Sequence, residues 1–166
     1  MGFGRRGAQM NEKWTISLAY GSNLNVDDMK KRCPDAEIIG SGTLYGYRLL
    51  FKGEEKNAFL TIEKKEGSTV PVGLWRLTPE DEVSLDEYEE YPLMYDKVDL
   101  PVKMADGEVM HSMAYVMRKE YEDNREYNLP SSDYLQTVIE GYRNFGFDVV
   151  DLLEALEKSI RNLEIE

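Results

Sequence analysis

The spacing of hydrophobic residues divides the chain into segments with the period of a β-strand and segments with the period of a helix. Side chains of a strand alternate between two faces, so short alternating or apolar runs rich in β-branched and aromatic residues predict strands. Such runs occupy residues 15–20, 37–53, 57–65, 70–77, 95–102 and 109–117. Gly40, Gly42 and Gly46 interrupt the second run and favour bends or bulges, and polar residues 66–68 predict a turn between the third and fourth runs. The pattern therefore favours a small, curved, barrel-like sheet.

Two helices in the first half of the chain are predicted by the residues at their ends. Asn25 is a good N-cap, and the basic residues 30–32 suit the negative C-terminal end of a helix dipole. We take that dipole as the reason for the basic triplet. Thr78 followed by Pro79 predicts the start of the second helix, which ends before Pro92 because the residue preceding a proline avoids the helical region.

Two further helices are predicted near the C-terminus by apolar residues spaced three and four apart. The first ends near Gly146, and the second begins at Asp148, which Phe147 and Leu152 flank at the positions of a hydrophobic staple. The charged residues 119–127 before them predict a loop or a short irregular connection. The apolar stripe of the last helix needs a partner, and we expect that partner to be the core of the same chain.

Residues 20–24, here called the glycine loop, join the first predicted strand to the first predicted helix. Gly21 allows the backbone to approach a ligand closely, and Ser22 and Asn23 add short polar side chains beside consecutive N–H groups. Such a loop, opening onto a helix N-terminus, suits an anion. The alternative interpretation is an ordinary turn closed by its own Asn and Ser side chains.

A second candidate functional residue is Glu89, at or near the C-terminal end of the helix that begins at Thr78. A carboxylate there faces the negative end of the helix dipole and several acidic neighbours, and both effects raise its pKa if the site is also dry. The alternative is a solvated acidic helix face. His111 lies in a predicted strand with no partner in the sequence, and we interpret it as a surface residue.

Length and charge limit the possible functions. The 166 residues are enough for one hydrophobic core, and we expect residues 13–166 to form a single domain after a disordered leader at 1–12. The formal net charge of −12 argues against a nucleic-acid surface. No apolar run approaches the ~20 residues that span a bilayer, so we expect a cytoplasmic protein that binds neither nucleic acid nor a membrane.

The sequence predicts no metal and no cofactor. Cys33 is the single cysteine, which excludes an internal disulfide, and one histidine without a Cys or His cluster leaves no recognisable zinc site. No loop has the spacing of carboxylates that a calcium or magnesium site requires.

Three short motifs resemble those of the γ-glutamylcyclotransferase family, also called AIG2-like, in order and in spacing. The resemblance extends from about Thr15 to Gly146. The motifs are Tyr20-Gly21-Ser22-Asn23-Leu24, then Leu85-Asp86-Glu87-Tyr88-Glu89 ahead of Tyr95, and finally Pro130-Ser131-Ser132-Asp133-Tyr134.

The resemblance implies an α+β fold, with a mixed, barrel-like β-sheet, flanking α-helices and a pocket over the glycine loop. It also implies one essential glutamate, which falls on Glu89. The implied substrate-binding residues are Tyr20, Gly21, Ser22, Asn23, Leu24, Tyr95 and Tyr134. The family usually has glycine directly after the glutamate, whereas this chain has Glu90, whose carboxylate can raise the pKa of Glu89 further or alter the chemistry.

The implied activity is a cofactor-independent acyltransferase- or lyase-type cyclisation, in which a γ-glutamyl amine or amino acid gives 5-oxoproline and a free amine. The leaving amine stays open, and so does the question of whether the glycine loop binds the substrate α-carboxylate or an oxyanion. An alternative function is a non-catalytic small-molecule binding or regulatory domain on the same fold. We expect a monomer or a weak homodimer, the latter built on the stripe of the last helix.

Overall fold

A closed sheet with helices packed around it forms the protein, as shown by a computed structural model that describes residues 13–122 and 126–165. The predicted leader at 1–12 lies outside the described residues. The strands are β1 (Thr15–Ala19), β2 (Glu37–Glu54), β3 (Asn57–Leu77), β4 (Tyr95–Met104), β5 (Val109–Met117) and β6 (Glu126–Tyr127). The helices are α1 (Val26–Arg32), α2 (Pro79–Tyr88), α3 (Lys119–Glu122), α4 (Ser132–Phe145) and α5 (Val150–Ile165), and Ser22–Leu24 forms a 3₁₀ turn.

The sheet closes because its two longest strands, β2 and β3, pair with each other, while the other three strands bridge them: β1 pairs with β3, and β4 pairs with β2. The strand order is β3-β1-β5-β4-β2, β2 also pairs with β3, and β6 adds to the outer side of β2. The pairing of β1 with β5 is parallel, and the other pairings are antiparallel. The prediction of an α+β fold with a mixed, barrel-like sheet and flanking helices is therefore confirmed.

The prediction of two separate strands at 57–65 and 70–77 is wrong. The chain forms the single strand β3 instead, which pairs with β2 on both sides of an irregularity: Tyr45 lies opposite Thr69, and Tyr47 lies opposite Lys64. The polar residues 66–68 thus belong to a bulge and not to a reversing turn. The physical reason is that β2 itself continues through Gly46, so β3 regains a partner after the bulge.

The interior of the barrel and the space beneath the helices hold a continuous hydrophobic core. Its fully buried side chains come from the strands, from the glycine loop and from the helices. They include Phe51, Leu60, Leu74, Leu24, Leu85, Tyr142 and Leu152.

Side-chain caps fix the starts of three helices. Side chains of Asn25, Thr78 and Ser131 each accept a hydrogen bond from the backbone N–H three residues ahead, which satisfies one donor that the first turn leaves unpaired. Gly146 ends α4 in the left-handed conformation, with φ of 73°. The ends at Asn25, Thr78 and Gly146 are as the sequence predicts, whereas the cap at Ser131 was not predicted.

Two predictions near the C-terminus need correction. Residues 119–127 contain the short helix α3 and the short strand β6, because Gly53 and Lys52 offer β2 backbone with which residues 126 and 127 pair. The last helix begins at Val150, two residues beyond Asp148, whose side chain accepts from the Val150 N–H. The helix packs on the core of the same chain through Leu152 and Ala155, but part of its apolar stripe, at Leu153, Ile160 and Leu163, is exposed. In the described part of the chain, no helix is both long enough and apolar enough to cross a membrane.

Candidate active site

Glu89 reaches the barrel mouth because the end of α2 is anchored at two preceding positions. Leu85 is buried in the core, and Asp86 accepts hydrogen bonds from the Tyr115 hydroxyl at 2.5 Å and the Lys97 ammonium at 3.0 Å. The Glu89 N–H donates to the Leu85 carbonyl at 2.9 Å, so Glu89 is the C-cap of the helix. The spacing Leu-Asp-x-x-Glu therefore places Leu85 in the core, Asp86 in the hydrogen bonds with Tyr115 and Lys97, and Glu89 beside the glycine loop.

The surroundings of Glu89 change its acidity. Burial of the carboxyl raises its pKa from 4.5 to about 7 because desolvation disfavours the charged form. Two groups act in the opposite direction: Asn23 donates from Nδ2 to Glu89 Oε2 at 2.7 Å, and the positive charge of Arg32 lies nearby. The cause is thus burial, and not the acidic neighbours that the sequence suggested. The side chain of the adjacent Glu90 is exposed.

A pocket over the glycine loop brings most of the predicted site residues together. It is narrow, with a cavity volume of about 30 Å³. Six of the seven predicted binding residues and the predicted catalytic residue line it, namely Tyr20, Gly21, Ser22, Asn23, Tyr95, Tyr134 and Glu89. Leu24 is the exception, since its side chain is fully buried in the core beneath the loop. The structure thus places the Leu24 side chain beneath the pocket and not in its wall, because the 3₁₀ turn directs it inward.

Hydroxyl groups of three tyrosines face this pocket with defined hydrogen-bond directions. Tyr20 donates to the Tyr115 carbonyl at 2.7 Å, and Tyr95 donates to the Leu60 carbonyl at 2.6 Å. Tyr134 instead accepts from the Leu60 N–H at 3.1 Å. A hydroxyl has one donor and two acceptor positions, so Tyr20 and Tyr95 retain lone pairs for a ligand, whereas Tyr134 retains its proton. Burial raises the pKa of all three, which keeps them neutral at physiological pH.

Hydrogen bonds to its backbone carbonyls fix the glycine loop. The Leu24 N–H donates to the Gly21 carbonyl and the Asn25 N–H to the Ser22 carbonyl, both at 3.0 Å, so the turn uses neither the Ser22 nor the Asn23 N–H. Trp75 donates from Nε1 to the Asn23 carbonyl at 2.9 Å. The carbonyls of Gly21, Ser22 and Asn23 are therefore engaged, whereas the N–H groups of Ser22 and Asn23 are left unused by the turn.

A second, outer compartment adjoins the pocket and shares Glu89 and the tyrosines Tyr95 and Tyr134 with it. Its own walls are Phe59, Tyr88, Glu90 and Met94, and its cavity volume is about 200 Å³. Glu90 has φ of 55°, in the left-handed region. This conformation accounts for the glycine that the family usually has at this position, because glycine adopts it without steric cost.

Two site residues were missed by the sequence interpretation. Tyr115 lines the pocket from β5. Its position on the inward-facing side of that strand is the only feature of the sequence that indicates this role. Arg32 was assigned to the helix dipole, yet its guanidinium donates to Asn23 Oδ1 at 3.3 Å and lies 3.7 Å from the centre of the Tyr88 ring. Neither contact has a local sequence pattern. His111 is exposed on β5, as predicted, 3.6 Å from Asp99.

A metal site is not apparent in residues 13–122 and 126–165, which contain no group of three or more His, Cys, Asp or Glu side chains placed to hold an ion. Cys33 is a free, buried thiol whose Sγ donates to the Asp81 carbonyl, and burial raises its pKa to about 11. The pocket groups that can do chemistry are therefore Glu89, the tyrosine hydroxyls and the backbone of the glycine loop.

Comparison with known proteins agrees with the fold and identifies a family. The family described as "Gamma-glutamyl cyclotransferase, AIG2-like" matches residues 18–136. A solved gamma-glutamyl cyclotransferase has 25% sequence identity and a TM-score of 0.72, covering 88% of this chain and 86% of its own. An uncharacterized protein from Homo sapiens has 24% identity and a TM-score of 0.73, covering 89% and 86%. YkqA from Bacillus subtilis has 18% identity and a TM-score of 0.66, covering 96% of this chain and 58% of its own. A search of curated proteins gives no significant match.

Proposed function

Because the chain belongs to the gamma-glutamyl cyclotransferase, AIG2-like family, we propose that it cyclises the γ-glutamyl group of a γ-glutamyl amine or amino acid to 5-oxoproline and releases the free amine. In this reaction the α-amine nitrogen of the glutamyl group attacks its own γ-carbonyl carbon. One C–N bond forms and closes a five-membered ring, and the original amide C–N bond breaks. The α-nitrogen loses two protons in all: one reaches the leaving nitrogen as the amide C–N bond breaks, and the second ends on the released amine as an ammonium, so the reaction balances without a cofactor.

Glu89 is the proposed general base and acid. Its ionised carboxylate takes a proton from the substrate α-ammonium, and the resulting carboxylic acid returns a proton to the leaving nitrogen. A pKa of about 7 suits both steps, because a shuttle works best when its pKa is near the operating pH. Such a shuttle typically contributes about 10²- to 10⁴-fold to the rate.

One observation supports this function above the others. A single carboxyl with a strongly raised pKa lies in the wall of a pocket, beside a loop with N–H groups unused by its own turn. This combination is typical of a proton-transfer site and has no role in stabilising the fold, since burying a carboxylate opposes folding.

The tyrosines and the glycine loop are the proposed binding groups. Lone pairs of Tyr20 and Tyr95 suit the substrate α-ammonium, while the free proton of Tyr134 and the N–H groups of Ser22 and Asn23 suit an anionic oxygen. That oxygen belongs to the α-carboxylate or to the oxyanion formed at the γ-carbon. Holding the substrate curled supplies the remaining acceleration, because ring closure depends on near-attack geometry.

The outer compartment is the proposed position of the leaving amine. It opens from the Glu89 side of the pocket and is walled by the aromatic rings of Phe59 and Tyr88, the Met94 thioether and the exposed Glu90 carboxylate. Aromatic faces together with a carboxylate suit an amine that carries an apolar stem and a positive charge. We therefore rank γ-glutamyl diamines and the γ-glutamyl-ε-lysyl linkage above γ-glutamyl derivatives of acidic amino acids.

The test is to incubate the purified protein with a panel of γ-glutamyl amines and amino acids and to measure 5-oxoproline by mass spectrometry. Formation that Glu89→Gln loses, and that Glu87→Gln, on the exposed side of the same helix, keeps, is the expected result. If Glu90→Gln lost activity while Glu89→Gln kept it, the base would be the neighbouring residue. Calorimetry with the same compounds tests the alternative of a non-catalytic binding domain. That alternative predicts that a γ-glutamyl compound binds without formation of 5-oxoproline.

A further inference from the structure

Arg32 differs from the two lysines that precede it in α1. Lys30 and Lys31 are exposed, whereas Arg32 is partly buried and reaches across to the glycine loop and the end of α2. A charge that only complements the helix dipole needs no such contacts. The position of this one guanidinium therefore requires a separate explanation.

The first contact of Arg32 determines which way the Asn23 carboxamide faces. An arginine can only donate hydrogen bonds and an ionised carboxylate can only accept them. With Arg32 donating to Oδ1 at 3.3 Å, the amide nitrogen of Asn23 is left to donate to Glu89 Oε2, which it does at 2.7 Å. A flipped carboxamide would set its NH₂ group against the guanidinium and its oxygen against the carboxylate, and both contacts would be repulsive.

The second contact extends the same arrangement to Ser22. The guanidinium of Arg32 lies over the ring of Tyr88 at 3.7 Å, and the Tyr88 hydroxyl forms a hydrogen bond with Ser22 Oγ at 2.9 Å. Arg32 thus touches both side chains that connect the glycine loop to the last turn of α2. The loop and the glutamate come from segments 66 residues apart, so their relative position depends on such contacts.

We propose that Arg32 is a positioning residue, which acts through Asn23 and Tyr88 to hold the Glu89 carboxylate in one orientation at the pocket wall. The inference rests on the proposed function, in which Glu89 transfers protons. Arg32 itself does not line the pocket or, by this proposal, contact the substrate; it lies behind two residues that form the walls, Asn23 and Tyr88. Its contribution is to fix the hydrogen bond that Glu89 receives.

Arg32 also differs from the other titratable groups that face Glu89, because it is charged and they are neutral. They are Tyr20 from the end of β1, Tyr95 from β4, Tyr115 from β5 and Tyr134 from α4, all neutral at physiological pH because burial raises each pKa. Arg32 is the one cation recorded as acting on Glu89 among the described residues. Its removal therefore also removes an attraction that favours the ionised base.

The test compares Arg32→Met with Arg32→Lys, and uses Lys31→Met, an exposed neighbour in the same helix, as the matched control. Titration of the Glu89 carboxyl carbon by NMR, assigned with Glu89→Gln, needs no turnover. We expect its pKa to rise above about 7 in Arg32→Met, to stay near about 7 in Arg32→Lys, and to be unchanged in Lys31→Met. Thermal melting checks that each variant is folded.

Activity is then measured as kcat/KM for 5-oxoproline formation across pH. We expect Arg32→Met to lose roughly tenfold in kcat/KM, mainly in kcat, with its acidic limb moved to higher pH, and Arg32→Lys to recover most of the loss. In an Asn23→Ala background the same Arg32→Met change should cost less than in the wild type, because one of the two residues through which it acts is gone.

Two sets of results separate the proposals. An altered Glu89 titration in Arg32→Met without any 5-oxoproline from the wild-type protein would refute the proposed function and leave the role of Arg32 standing. An active wild-type protein whose Glu89 titration and pH profile are the same in Arg32→Met would overturn the positioning role. Equal losses in Arg32→Met and Arg32→Lys, with an unchanged titration, would do so as well.

Discussion

Two adjacent glutamates on this chain have different physical situations, although the sequence presents them alike. Glu89 lies in the pocket wall with a pKa raised to about 7 by burial, and Glu90 is exposed at the rim with a left-handed backbone. The helix ends between them, so that one side chain turns inward and the next turns outward. The chemistry therefore belongs to Glu89, and the conformational strain belongs to Glu90.

Glu89→Gln should stabilise the folded protein above neutral pH. An acid whose pKa is raised by folding gives stability that is present below its unfolded pKa of 4.5 and is lost as the pH rises through about 7. Glutamine cannot ionise, so at pH 8 we expect the variant to exceed the wild type in free energy of unfolding by on the order of 2 kcal/mol. Urea denaturation at pH 8, 6 and 4 measures the difference.

The advantage of Glu89→Gln should disappear by about pH 4, where the wild-type carboxyl is protonated in both states. Glu87→Gln, on the exposed side of the same helix, is the control and should show no such dependence. A stability difference that is the same at all three pH values would contradict a buried, titrating Glu89.

Glu90→Gly should also stabilise the fold, for a different reason. A residue with a Cβ pays roughly 1–2 kcal/mol in the left-handed region, and glycine avoids that cost but adds about 0.4–1 kcal/mol of entropy to the unfolded chain. The net gain expected is about 0.5–1 kcal/mol, measured by the same denaturation. Glu90→Gln keeps both the Cβ and the φ of 55° and should gain nothing; an equal gain in both variants would point to charge instead of strain.

At the scale of elements, the glycine loop keeps its place because α4 packs directly against it. A Cβ on Gly141 would lie 2.7 Å from the Asn25 nitrogen and 2.7 Å from the Leu24 carbonyl carbon, so the helix approaches the loop backbone at a distance only glycine allows. The same helix supplies Tyr134 to the pocket. The packing of α4 thus sets both the loop and one tyrosine of the site.

Gly141→Ala should therefore lower both stability and activity. In an open helix, alanine gains about 1 kcal/mol over glycine. Here the added methyl meets backbone, and we expect a net loss of about 1–3 kcal/mol in the free energy of unfolding, together with a fall in kcat as the loop shifts. Gln136→Ala, on the exposed side of the same helix, is the control. A stabilised Gly141→Ala variant would show that α4 and the loop can separate without cost.

At the scale of the whole molecule, two surface features oppose each other. The last helix, α5, leaves Val150, Leu153, Ile160 and Leu163 exposed beside the residues that pack on the barrel. The net charge of −12 repels a second copy of the chain. The helix packs on the barrel of its own chain through Leu152 and Ala155. The apolar surface left over for a second copy is therefore small.

We expect the protein to sediment as a monomer of about 19.2 kDa at micromolar concentration in low salt, because repulsion outweighs the small apolar area available. Sedimentation velocity at low and high salt measures this. Leu153→Glu, at an exposed position, should leave the result unchanged in low salt. A dimer in the wild type that Leu153→Glu dissociates would establish the stripe of α5 as an interface.

The sequence by itself determined the elements and the order of the motifs. Local spacing and end residues specify strands, helices and caps, because hydrogen bonds within a few residues decide them, and so Asn25, Thr78 and Gly146 could be assigned from the sequence. The same locality placed Glu89 at the end of its helix.

Only the tertiary structure decided what surrounds those elements. Whether residues 66–68 reverse the chain or bulge depends on the partner strand, whether Leu24 faces the pocket or the core depends on α4, and the contacts of Arg32 with Asn23 and Tyr88 join three segments. The raised pKa of Glu89 is likewise a property of burial among strands distant in sequence. Desolvation and contact between remote segments depend on the closed barrel, and no local pattern of residues encodes them.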